Sequence, residues 1–129
     1  MIKKITIALG ILIVLVFISY KYLYKNHRNI AKETVSYSVT VQYVHEAFMK
    51  NDSLANAKYL DKTIVIYGEI TDIDLSNKII TVDEKLLATF NENLPNDIKL
   101  QQNIKIKGRL IGFDDLLEEL KMDQCIKEE

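Results

Sequence analysis

The chain has 129 residues, of which 48 % are apolar and 27 % charged. That balance excludes a disordered or low-complexity chain and leaves room for one small globular domain. A single cysteine excludes an intramolecular disulfide framework and a cysteine-based zinc site. The net charge of −1 conceals a division: residues 1–32 hold six Lys/Arg and no acid, so residues 33–129 set eleven basic side chains against all eighteen acids, a net of −7. An acidic domain repels phosphate backbones, which disfavours nucleic acid as a partner.

Lys3 and Lys4 precede an apolar run that begins at Ile5 and extends to Tyr24, broken before Ser19 only by Thr6 and Gly10. Such a run is long enough for a helix to cross about 30 Å of hydrocarbon. Tyr20, Tyr22 and Tyr24 crowd its far end, where amphipathic rings prefer the membrane interface. Residues 18–20 and 22–24 are too bulky for a small-x-small cleavage site, and no cysteine lies near the run to take a lipid. Residues 1–24 therefore read as an uncleaved single-pass signal-anchor, with a cleaved signal peptide as the alternative. Basic residues flank both ends. The short Lys-Lys tail in front favours a domain outside the cytoplasm, although Lys21, Lys25, Arg28 and Lys32 behind the run pull the other way. Residues 25–39 read as a juxtamembrane linker; their basic first part fits equally a solvated extension of the membrane helix.

From Val35 to Tyr43 apolar and polar residues alternate, a strand signal, but Val41, Val44 and Phe48 also share a helical face with Thr40 as N-cap. After the break at residues 51–53, Asp52 is placed to cap a second short helix running to Tyr59. Residues 62–74 form the clearest strand, with Ile64, Ile66, Gly68 and Ile70 in phase. Strands over 78–82 and 86–90 follow, separated by a tight turn at Asp83-Glu84-Lys85. Asn-rich residues 91–100 with Pro95 read as a loop. Residues 103–113 repeat the first pattern with Ile104, Ile106, Gly108 and Leu110 in phase, and residues 116–126 close the set as a fifth strand or begin with a helical turn. A mid-strand Gly in the first and fourth strands marks a bulge or a sharp coil. The whole predicts an α+β, mainly β domain: a five-stranded OB-fold Greek-key barrel over residues 40–129, preceded by one or two short helices and an N-terminal transmembrane helix.

The block from Asn51 to Lys62, with Asn51, Ala55, Lys58, Tyr59 and Lys62 at its fixed positions, leads into the Gly68 strand. Ile106-Lys107-Gly108 and Cys125-Ile126 follow later. Together they resemble the bacterial tRNA-anticodon-like OB-fold family over about two thirds of the chain. The resemblance favours the helix from about Val41 and implies a small protein of the bacterial cell envelope, with no catalytic residues to carry over. Family members often hold further cysteines where this chain has Ala88 and Leu110, so Cys125 is left without an intramolecular partner.

An OB barrel binds through the face of its second and third strands and the loops 1–2 and 4–5. The candidate ligand residues are therefore Asp72, Asp74, Asn77 and Lys78 in the first loop, and Arg109, Phe113, Asp114 and Asp115 at the second. Asp72, Asp74, Ser76 and Asp83 imitate a calcium loop, but Asn77 stands where Gly is needed and strands flank it, so the segment reads as an acidic turn. Adjacent carboxylates such as Asp114-Asp115 and Glu118-Glu119 point to opposite faces of a strand and share no site. Neither His27 nor His45 belongs to a metal set, no Ser-His-Asp order or phosphate loop can be assembled, and Cys125 reads as a buried small hydrophobe. The second and third strands offer Ile79, Ile80, Val82, Leu86, Leu87, Ala88 and a terminal Phe90, which is no stacking platform for bases. The expectation is a non-enzymatic, membrane-anchored binding or interaction module without cofactor or metal. Its soluble part is monomeric, and its partner is a protein or small molecule of unknown identity. The alternative is a nucleic-acid-binding OB domain, for which Lys78, Lys105, Lys107 and Arg109 are the available cations.

Overall fold

The apolar run forms one helix, α1 (Ile2–Leu23), in which no residue is buried. Its surface is apolar all round, which in a soluble protein would demand a covering. The one hydroxyl in its first turn, on Thr6, donates back to the carbonyls of Ile2 and Lys3 and so needs no outside partner. The computed structural model describes residues 1–24 and 28–129. Lys25 and His27 of the expected linker lie outside the described residues.

The rest follows the order β1 (Tyr37–Thr40), α2 (Val41–Lys50), α3 (Asp52–Tyr59), β2 (Thr63–Asp74), β3 (Ile79–Val82), β4 (Leu86–Phe90), β5 (Asn103–Asp114) and β6 (Glu119–Lys127). Sheet order runs β1-β2-β3-β4-β6-β5, and β2 also pairs with β5, which closes strands β2 to β6 into a five-stranded barrel. β4 and β6 run parallel and the other barrel pairs antiparallel, the mixed Greek-key closure of an OB-fold. Alternation along the strands fills the barrel: Ile64, Ile66, Ile70, Ile80, Leu86, Ile106, Leu110 and Leu120 are all wholly buried.

The two long strands follow one plan forty positions apart. Each is 12 residues long, carries Gly at its sixth position (Gly68, Gly108) and ends in Asp (Asp74, Asp114). Neither glycine has a positive φ. What they supply is room: a Cβ on Gly68 would collide with Val82 Cγ1, and one on Gly108 would lie 2.7 Å from Cys125 Sγ. At these points the barrel wall folds against its own neighbour, and only hydrogen fits.

Three boundaries differ from the sequence reading. The stretch expected as linker up to residue 39 is packed onto the barrel where it is described. Ile30, in a 3₁₀ turn over Ile30–Lys32, is 1 % exposed. Arg28 grips both carboxylate oxygens of Glu33 (2.6 and 2.9 Å) and reaches Asp61 Oδ1 at 3.0 Å, while Lys107 Nζ donates to the Ala31 carbonyl at 3.0 Å. Glu33 also accepts from Thr63 Oγ1, and its pKa is lowered by Arg28 first and Thr63 second. β1 is a sixth strand, parallel to β2, so the alternation from Val35 is real but ends where Thr40 caps α2 through the Tyr43 N–H. Asn51, not Asp52, caps α3 by accepting from Leu54 N at 3.1 Å.

Candidate functional site

Within the expected binding loops most side chains are occupied in building the loops. Asp74 Oδ1 accepts from the Ser76 hydroxyl (2.6 Å) and from the N–H groups of Ser76 and Asn77, while Oδ2 accepts from the Asn77 amide at 2.7 Å. Those bonds, Ser76 foremost, hold the carboxyl down to about 2. The turn that looked like half a calcium loop is an Asx turn whose carboxylate faces its own backbone. Lys78 takes φ 58° there and donates to the Asn91 carbonyl at 3.3 Å. The β5–β6 turn repeats the device. Asp114 Oδ1 accepts from Leu116 and Leu117 N–H and Oδ2 from Lys121 Nζ, and the Leu117 N–H leads in lowering its pKa. Glu118 takes φ 54°, matching Lys78.

Arg109 is bound through Nε and Nη2 to the two oxygens of Asp123 (2.9 and 2.5 Å) and touches Asp61 at 3.4 Å. Phe113 stacks on Phe48 with ring centroids 5.2 Å apart and meets His45 edge-on at 5.7 Å, seating α2 against the barrel. His45 itself is 7 % exposed and bonds the Glu118 carbonyl through Nε2 at 3.0 Å. Of the eight expected ligand residues, Asp72 and Asp115 stay exposed without a side-chain bond among the described residues. No hydrogen bond or ion pair joins the two loop sets there.

The outer positions of β3 and β4 are Ile79, Thr81, Leu87 and Thr89, and Phe90 is 5 % exposed inside the barrel. Among the expected cations, Lys107 and Arg109 are held by Ala31 and Asp123 as described, and Lys105 lies over the Tyr67 ring and donates to the Glu129 carbonyl. Cys125 is buried, its thiol pKa pushed well up by that burial. Among the described residues no group of His, Cys, Asp or Glu is arranged to hold a metal ion.

A different group of side chains assembles where β1, α2 and α3 meet. The Lys58 ammonium lies 5.3, 6.0 and 5.0 Å from the ring centroids of Tyr37, Tyr43 and Tyr59. Tyr37 and Tyr59 meet edge-on at 5.2 Å. Two adjoining clefts of about 420 and 380 Å³ share Tyr43, Lys58 and Tyr59. The first runs between α2 and α3 past Lys50 and Leu54; the second is lined by all four residues of β1. Tyr59 is 1 % exposed, and among the described residues its hydroxyl has no hydrogen-bond partner. The Tyr59 hydroxyl beside the Lys58 ammonium raises the lysine pKa. Sequence reasoning passed over this cluster because its rings come from three elements. The only signal was the adjacent Lys58-Tyr59 pair in the block that carries the family resemblance.

The chain matches the family model described as tRNA_anti-like over residues 1–121. Among solved structures, it is similar to a crystal structure named "putative nucleic acid-binding lipoprotein" from Klebsiella pneumoniae subsp. pneumoniae. The TM-score is 0.53 at 16 % identity, with 71 % of this chain and 91 % of that one covered. No curated protein matches.

Proposed function

The chain belongs to the tRNA_anti-like family, and from that premise we propose that it is a non-enzymatic binding module of OB fold, anchored in the membrane by α1 and presenting its barrel outside the cytoplasm. The observation that carries the anchoring is the helix itself: 22 residues, apolar on every side, with no residue buried. Burial in hydrocarbon is the covering that such a surface calls for. The similar Klebsiella structure is named a lipoprotein. In this chain the one cysteine is Cys125, buried in β6, so attachment would fall to the helix rather than to a lipidated thiol.

The non-enzymatic reading is supported by how the polar side chains are spent. Asp74 and Asp114 shape turns, Arg109 and Asp123 neutralise each other, and His45 ties α2 to the barrel. A catalytic group must instead aim at a reacting atom from a cleft. Fusion of paired reporters after Glu129, one active only outside the cytoplasm and one only inside, tests the arrangement. The outside reporter alone should be active; activity of the inside reporter alone contradicts it.

One observation favours a second reading, nucleic-acid binding: the name carried by the similar structure. Against it stand the net charge of −7 over residues 33–129 and the absence of rings from the outer face of β3 and β4. Fluorescence polarisation with labelled single-stranded DNA and RNA at about 0.15 M salt separates the two. Salt-sensitive binding in the micromolar range or tighter establishes the second reading.

A further inference from the structure

Among the described residues β1 pairs with β2 and no strand pairs with its other edge, which leaves that edge open to a further strand. Beside it lies the cleft floored by Tyr37, Tyr43 and Tyr59 around Lys58. We propose that this cleft takes an extended acidic segment of a partner polypeptide, which adds as a strand to the outer edge of β1 and sets a carboxylate against the Lys58 ammonium. The inference rests on reading the domain as a binding module, but not on its attachment to a membrane.

Charge supports this occupant. In a domain with a net of −7, the two adjoining clefts are lined by Lys50 and Lys58 and by no carboxylate. Lys58 has no ion-pair partner among the described residues; the groups around it are three tyrosine rings and the Tyr59 hydroxyl, which hold a cation in place without neutralising it. An incoming carboxylate would therefore meet a pre-positioned donor, a charge-assisted bond of the stronger kind. Tyr43, 56 % exposed, and Leu54, 68 % exposed, give the flanking apolar surface on which a side chain of the segment can rest. Main-chain bonding to an edge strand combined with pockets for alternate side chains is an established mode of peptide recognition.

Other occupants fit less well. A second copy of this chain joined edge to edge along β1 would bring its own Lys58 toward this one. A nucleic acid carries a phosphate at every residue and needs a track of cations, whereas the clefts supply two lysines.

The test uses the full chain reconstituted in lipid nanodiscs, panned against a random dodecapeptide display library, with the enriched peptides and a labelled oligo(dT) then titrated by fluorescence polarisation. Enriched peptides should be net acidic. Their affinity should fall about tenfold or more in Lys58→Glu and hold within about threefold in Lys58→Arg and in the charge-matched control Lys99→Glu. Amide exchange along β1 should slow in the complex. Enrichment of basic peptides, or of peptides indifferent to Lys58→Glu, refutes the cleft while the binding-module reading stands. Lys58-dependent binding of oligo(dT) without peptide binding replaces the occupant by single-stranded nucleic acid. Failure to enrich any peptide, with no oligo(dT) binding, counts against both the cleft and the module.

Discussion

Replacing Gly108 by Ala should destabilise the barrel, while the same change at Gly112, four positions further along β5, should not. A Cβ at Gly108 would stand 2.7 Å from Cys125 Sγ, 2.9 Å from Met122 Cε and 3.1 Å from the Asp123 carbonyl oxygen. The Met122 methyl can swing aside. The other two atoms cannot: Cys125 is 1 % exposed and the carbonyl is β6 backbone, so β5 and β6 must separate by several tenths of an ångström. Overpacking of this kind costs about 1–3 kcal/mol. At Gly112 no heavy atom lies within 4 Å of the new methyl and the backbone is not in the left-handed region, so Ala should be worth about 0.5–1 kcal/mol through the lower entropy of the unfolded chain. For a domain of about 100 residues the first change lowers Tm by roughly 5–20 °C, and the second raises it by a few degrees. Near-UV circular dichroism of the tyrosines, recorded on heating the full chain in mild detergent, reads both. Equal melting temperatures for Gly108→Ala and Gly112→Ala would refute the close approach of β5 and β6 and, with it, the coiled path that closes the barrel.

Ile30→Ala should cost about 2–5 kcal/mol, as for other buried isoleucines, whereas a residue in a free linker would be neutral; urea unfolding distinguishes the two. Asp74 should titrate near 2 by carbon NMR. Because its folded pKa lies below the unfolded value of 3.8, its contribution is complete above about pH 4 and is lost as pH falls through 2; Asp74→Asn should be destabilised at neutral pH and lack that part of the acid limb. Cys125 should resist a thiol reagent in the native protein at pH 8 and react on unfolding; fast native labelling would show that β6 is not packed as described.

The barrel was legible because its core obeys period two: Ile64, Ile66, Ile70, Ile104, Ile106 and Leu110 announce two long strands, and the mid-strand glycines announce where they coil. β1 was obscured by its shortness, since four alternating residues run directly into a helix whose own apolar positions begin at Val41. Parallel pairing with β2 is non-local and leaves no trace in local pattern. The packing of residues 28–36 was hidden for a related reason. Arg28 and Glu33 look like solvated charges until Asp61 and Thr63 are brought beside them by the fold. At the loops, the residue types that bind cations or ligands are also those that bond their own turn, so Asp74 and Asp114 were picked out for the right chemistry and the wrong partner. The Lys58 cluster needs three elements to form and had no sequence pattern of its own.

Intact-mass measurement of the protein recovered from carbonate-washed membranes tests the membrane-anchored account most directly. A helix buried in hydrocarbon withstands carbonate, which strips proteins held by charge. Anchoring by α1 predicts recovery in the membrane pellet with residues 1–24 still attached. Release into the carbonate wash, or a mature mass lacking the N-terminal helix, would contradict it.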